Sequence, residues 1–226
     1  VSLVDLRKDW VDCERCDLCT ERSRVVFGEG NPNADVLIIG EAPGEVEDAT
    51  GLPFQGDAGS VLDDFLTTTG LNREEDIFLT NTVGCRPTIE SRDDRTGDMF
   101  LENRQPNKKE REACWERLAE IVYQVDPLLI LAVGKVPAAA LLGRVSTMQK
   151  MRGRIFRASL PGRQTDISYP VLVIFHTAYL LRIHDHRVEG PWGKTLEDFY
   201  TACDVIDHLR EAYHGIPVPD RRRSNG

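Results

Sequence analysis

No stretch of this 226-residue chain is apolar over the roughly 20 residues needed to span a bilayer, so no membrane partner is expected. No secretory leader is legible at its start, where Asp5, Arg7, Lys8 and Asp9 interrupt the apolar residues. The expected compartment is therefore the cytoplasm. No internal repeat is present, which sets solenoids and propellers aside. Positive charge is not in excess either: the net charge is −9. That argues mildly against nucleic acid, although a local basic face can bind it whatever the overall sign. What is there is ordinary for a globular protein, with 41% hydrophobic and 29% charged residues. The length suits one α/β domain with a full core or two small ones; the strand–helix alternation below favours a single domain over residues 1–226, and a monomer is the default expectation.

The chain is organised around residues 36–59, VLIIGEAPGEVEDATGLPFQGDAG. The apolar, β-branched run 36–39 reads as a buried parallel strand ended by Gly40. A tight loop follows (Glu41, Ala42, Pro43, Gly44), then Glu45, Glu47 and Asp48, then Pro53 and Phe54. A helix is expected from about Ser60. Ligands of open α/β sheets bind just past the carboxyl ends of strands, so this loop is the first place to look for chemistry.

Three further runs read as strands: 77–81 with Asn81 at its end, 128–133 ended by Gly134, and 171–175 followed by His176. Helical spacing appears in Leu62, Phe65 and Leu66, and again in Leu118, Ile121, Val122 and Val125. Asn107 to Glu110 resembles a capping box that starts the latter helix. Pro137 opens a short helix closed by Gly143. A last helix is expected over about 196–213, with Leu196, Phe199, Tyr200, Cys203, Ile206 and Leu209 inward. Residues 88–106 form a long, polar, acidic stretch expected to be a mobile loop. Residues 145–165 read as irregular, with a basic cluster of Lys150, Arg152, Arg154, Arg157 and Arg163, and Arg221 to Arg223 as a frayed tail. Strands alternating with helices predict a three-layer α/β sandwich with a central four-stranded parallel sheet flanked by helices.

The six cysteines are Cys13, Cys16, Cys19, Cys85, Cys114 and Cys203. In a cytosolic protein the two overlapping C-x-x-C spacings of Cys13, Cys16 and Cys19 suggest a metal site rather than disulfides. Cys85 and Cys114 are the obvious further ligands. Zinc and an iron–sulfur cluster both fit the spacing. Cys203, on an apolar helix face, reads as a core thiol.

Glu41, Phe54, Asn81 and His176 all fall at one edge of the expected sheet. An aromatic face stacks on a planar ring, and an asparagine amide offers a donor beside an acceptor. That pair matches O4 and N3–H of uracil and mismatches cytosine. A histidine donor can stabilise charge on a leaving group, and a carboxylate can orient water or support an oxocarbenium-like sugar.

On these residues the chain resembles the family 4 uracil-DNA glycosylases, the iron–sulfur branch of their superfamily. The matching pieces are Cys13-x-x-Cys16, Val26 to Gly30, Gly40 to Gly44, Glu47, Gly51-x-Pro53-Phe54-x-Gly56, Thr80-Asn81, Cys85-Arg86-Pro87, Asn103-Arg104-x-Pro106 with Cys114, and His176 through Arg182. The resemblance implies a DNA substrate, single- or double-stranded, and removal of a flipped base to leave an abasic site. It implies a structural [4Fe–4S] cluster on Cys13, Cys16, Cys85 and Cys114, with Cys19 spare and segment 1–30 packed on the domain. Glu41, Ala42, Pro43, Phe54, Asn81 and His176 are implied to surround the base, and Glu41, Glu47 and His176 to act in catalysis. Leu180, Leu181 and Arg182 are the implied wedge. Ala42 stands where other branches carry a catalytic aspartate, so leaving-group stabilisation is expected to dominate. Thr177 replaces a usual proline, Gly84 a lysine and Thr88 a second proline, and the acidic stretch after Cys85 is longer than the family's. The alternatives are a glycosylase for another deaminated or modified base, and a non-catalytic iron–sulfur DNA-binding protein.

Overall fold

The computed structural model describes residues 2–143, 145–160, 168–183 and 185–214; Arg163 and residues 221–223 of the expected basic segments lie outside them. In chain order the elements are α1 (Leu3–Trp10), a 3-10 turn (Asp17–Cys19), β1 (Glu29–Gly30), β2 (Val36–Gly40), α2 (Glu45–Thr50), α3 (Asp57–Thr69), β3 (Ile77–Asn81), β4 (Thr88–Arg92), β5 (Met99–Asn103), α4 (Lys108–Val125), β6 (Leu129–Val133), α5 (Lys135–Leu142), α6 (Met148–Met151), β7 (Ile155–Ser159), β8 (Ser168–Ile174), α7 (Thr177–Ile183) and α8 (Pro191–His214).

The main sheet has six strands in the order β1-β3-β2-β6-β8-β7, not four. The four expected strands form its parallel centre, β3-β2-β6-β8. Antiparallel β1 and β7 close its two edges. Both edges escaped sequence reading for simple reasons. β1 is two residues long, and β7, inside the stretch expected to be irregular, buries only one face and lacks a continuous apolar run.

Side chains alternate across the central strands and feed a core on each face. Leu37, Ile39, Phe78, Ile130, Ala132, Val171 and Val173 pack against α1, α4 and α5. Val36, Ile38, Leu79, Leu131, Val133, Leu172 and Ile174 pack against α3, α7 and α8. Burial on both faces is why these strands read as unbroken apolar runs, as in covered parallel sheets. The result is the three-layer sandwich.

α4 starts at the expected capping box: Asn107 accepts from the Glu110 amide at 3.0 Å, and Glu110 accepts from the Asn107 amide at 2.7 Å. α8 begins at Pro191, earlier than its apolar spacing suggests, and its Tyr200 faces solvent at 44% exposure. Cys203 is a core thiol, donating to the Thr69 carbonyl at 3.6 Å. The expected mobile loop is an ordered antiparallel hairpin, β4–β5, running from Thr88↔Asn103 to Arg92↔Met99. Its strands are mostly exposed, and neither shows the apolar–polar alternation of a half-buried strand (TIESR and MFLEN), so neither pattern nor burial marks them as strands.

Candidate active site and cysteine cluster

A cavity of about 690 Å³ opens at the carboxyl ends of β2, β3, β6 and β8. Glu41, Ala42, Pro43, Phe54, Asn81 and His176 all line it, so every expected base-binding residue converges there. Gly40 makes the closest packing possible. It pairs in register with Asn81, and a Cβ on it would lie 2.3 Å from Asn81 Oδ1 and 2.8 Å from the Phe54 ring. Any side chain at position 40 would therefore displace the amide and the aromatic face together.

Asn81 is buried at the end of β3. Its carbonyl accepts from Nη2 of Arg117 at 2.5 Å, and Nη1 of the same guanidinium reaches the Phe27 carbonyl at 2.9 Å and Thr80 Oγ1 at 3.1 Å. Arg117 is 1% exposed, all three acceptors are neutral, and its Nε has no partner among the described residues. A Cβ on Gly84 would come within 3.3 Å of that Nε, so the bare backbone at this position fits around the guanidinium. Sequence reasoning missed Arg117. The available signal was an arginine on the buried stripe of α4, between Cys114 and Leu118.

His176 follows β8 and faces the cavity. Its Nδ1 accepts from the Ala178 amide at 3.1 Å, which leaves the proton on Nε2. Burial, with a smaller push from Arg182, lowers its pKa from 6.5 to about 4, so the imidazole is neutral at ordinary pH. Gly134 (φ +99°) backs the ring, where a Cβ would stand 3.2 Å from His176 Cβ and Cδ2. Thr177, at the usual proline position, is fully buried with its hydroxyl unpartnered among the described residues. Burial raises the Glu41 carboxyl above its usual range, against the opposing charges of Arg111 and Arg182, and Gln105 Nε2 donates to its Oε2 at 3.4 Å.

The loop between β2 and α3 contains a helix, α2, that the sequence did not reveal. Glu47, on α2, holds this loop shut. Its Oε1 accepts from the Gln55 and Gly56 amides, both at 2.9 Å, and its Oε2 from the Gly44 amide at 3.0 Å. With three backbone amides on its two oxygens, Glu47, expected to act in catalysis, clasps the cavity wall that it also lines. Phe54, inside the clasped loop, has φ 55°, a left-handed conformation that costs an aromatic residue on the order of 1–3 kcal/mol.

Of the expected wedge, Arg182 is exposed and Leu181 partly exposed. Leu180 is not part of that surface: it is 3% exposed and packs in the core between the sheet, α3 and α8. Position along α7 decides this, because Leu180 points inward with Thr177, one turn before it.

Beside the cavity, Leu18, Val83, Cys85 and Cys114 form a third small core, flanked by Cys16, Val25 and Ala42. Burial raises the thiol pKa values of Cys16 and Cys85, the latter to about 12. Neighbouring thiols push the same way: Cys114 and Cys13 on Cys16, and Cys114 and Cys16 on Cys85. Arg22 joins the set, its Nη1 donating to the Cys13 carbonyl at 2.6 Å and to Cys85 Sγ at 3.6 Å. Among the described residues, no three ligating side chains are gathered closely enough for a single metal ion. Among them too, no helix is long and apolar enough to cross a membrane.

Comparison with known proteins agrees with this geometry. The family model described as the uracil DNA glycosylase superfamily matches residues 27–199. A type-4 uracil-DNA glycosylase of Saccharolobus solfataricus is 34% identical over 223 residues, covering 95% of this chain and 88% of the relative. That of Thermotoga maritima is 34% identical over 86% of this chain and 89% of its own. That of Pyrobaculum aerophilum is 33% identical over 84% and 88%. With its strand-end cavity, its cysteine set and these relatives, the chain belongs to the uracil DNA glycosylase superfamily and, within it, to the type-4 family.

Proposed function

We propose that this protein is a monofunctional DNA glycosylase of base excision repair that takes uracil out of the DNA stack and hydrolyses its N-glycosidic bond. The observation that carries the reading is the meeting of Phe54, Asn81 and a neutral His176 in one cavity. The Phe54 ring supplies a stacking face. The Asn81 amide accepts from uracil N3–H and donates to O4, and cytosine reverses both groups. As the C1′–N1 bond breaks, its electron pair passes to the base and the charge spreads to O2. The Nε2–H of His176 donates to that oxygen, and a donor that is already neutral needs no proton transfer to act. Water then adds to C1′ of the oxocarbenium-like sugar and gives its proton to solvent, leaving an abasic site. Glu41, on the cavity wall, is the carboxylate free to face that sugar and water, because Glu47 is engaged by the loop. Leu181 and Arg182, at the exposed side of α7, are placed to fill the gap left in the duplex.

The four thiols of Cys13, Cys16, Cys85 and Cys114 suit a [4Fe–4S] cluster. Cys16 and Cys85 are costly to ionise without a cation, each lies within electrostatic reach of Cys114 and of the other or Cys13, and a cluster spaces its ligands more widely than a single ion does. The group would supply a covalent tie between the N-terminal segment, the turn after β3 and α4.

The test is an oligonucleotide panel, single- and double-stranded, each carrying one uracil or one modified base, with alkali revealing abasic sites. Cleavage at uracil above all others is expected, and Asn81→Asp should narrow the preference for uracil over cytosine. Silence at uracil with cleavage elsewhere would move the assignment to another base. Silence throughout would leave a DNA-binding protein.

A further inference from the structure

We propose that Arg73, which lies outside the cavity, is a positioning residue that fixes the aromatic platform of Phe54; the inference rests on the uracil reading above. Arg73 sits in the turn after α3. Its Nη1 pairs with Asp63 on α3 at 2.5 Å, and its Nη2 donates to the carbonyls of Pro53 at 3.1 Å and Phe54 at 3.2 Å. The peptide unit joining Phe54 to Gln55 is thus gripped at both ends by opposite charges. Its carbonyl meets the Arg73 guanidinium, and its amide meets the Glu47 carboxylate at 2.9 Å.

The orientation of that peptide sets ψ of Phe54, whose φ of 55° is disfavoured for an aromatic residue. A strained residue persists only where its surroundings over-determine it, and here they do. α3 also leaves room for the carbonyl, since a Cβ on Gly59 would fall 2.0 Å from Phe54 O. Without the guanidinium, the peptide is free to turn toward an ordinary conformation. The ring would then leave its place against Gly40 and Asn81. An arginine suits the position because its fork reaches a carboxylate and two carbonyls at once, which an ammonium does not.

The experiment is a double-mutant cycle of Arg73→Gln and Phe54→Ala, read by KM, kcat and inhibition by free uracil on a single-uracil oligonucleotide. Arg73→Gln should weaken uracil inhibition and raise KM about tenfold, change kcat less, and add under about twofold in the Phe54→Ala background. Arg73→Lys should recover part of the loss and keeps the test alive if the glutamine variant folds poorly. Unchanged uracil inhibition, or an equal loss with and without the Phe54 ring, would overturn the inference. Hydrogen exchange of the Gln55 and Gly56 amides, faster in Arg73→Gln, reads the same clamp without any substrate; unchanged exchange would also overturn it. A wild-type enzyme silent at uracil would sink the functional reading instead, while the exchange measurement still decides the clamp.

Discussion

In the proposed reaction His176 acts as a neutral donor, and its surroundings favour that form. The Ala178 amide occupies Nδ1, so protonation would set two N–H groups against each other. The pKa of about 4 gives the sign of the pH response. The unfolded chain takes up this proton near 6.5 and the folded one only near 4, so stability falls as pH drops through that window. Activity behaves differently, because the folded histidine stays neutral across most of the same range. We expect kcat/KM for uracil excision to show no break near pH 6.5 and to decline only on approaching the acidic end. Glu41, raised by burial, is a second group in the cavity that loses its charge as pH falls. Comparing Glu41→Gln with the wild type separates the two, since the limb that remains belongs to His176. A break near 6.5 in both proteins would overturn the neutral-donor assignment.

At the scale of elements, what the sequence made legible follows burial. The four parallel strands and the stripes of α3 and α4 were readable because both sheet faces are covered and each element must be apolar where it meets the core. The pocket residues were readable because strand ends place them. The clamps were not: Arg73 and Arg117 act on backbone carbonyls, and a hydrogen bond to a carbonyl leaves no trace in the partner's side chain. The β4–β5 hairpin was missed for the opposite reason, having almost no core to face. It departs from the cavity rim, where Arg86 Nε donates to Asn103 Oδ1 at 2.7 Å and the guanidinium also pairs with Glu45. It carries Glu90, Asp93, Asp94, Asp98 and Glu102 against Arg92 and Arg95. A ribbon with that surplus of negative charge beside the cavity repels phosphates. Replacing residues 89–102 with a short turn should tighten binding of undamaged duplex several-fold at about 50 mM salt, the gain fading above about 0.5 M as screening sets in. Anisotropy titrations across salt would show it. Weaker binding without the hairpin would instead make it a DNA-contacting arm.

At the scale of the whole molecule, three cores of unequal size divide the work. The two large ones cover the faces of the sheet and hold the strand ends in register. The third, built on Leu18, Val83, Cys85 and Cys114, holds only the cysteine turn, while Leu6 and Trp10 of α1 are anchored in the first core. It also shares its helix with Arg117, one turn from Cys114, whose guanidinium anchors the Asn81 carbonyl. Loss of the cysteine cluster should therefore reach the base-reading amide through α4. With the [4Fe–4S] assignment, Cys114→Ser and Cys13→Ser should each abolish the brown visible absorption and lower Tm by several degrees. Cys19→Ser should leave both unchanged, because the resemblance to the type-4 family leaves Cys19 as the spare thiol. Loss of colour in Cys19→Ser with colour kept in Cys13→Ser would exchange those two ligands. Colourless wild-type protein purified without oxygen, with zinc found by metal analysis, would replace the cluster with a different centre on the same thiols.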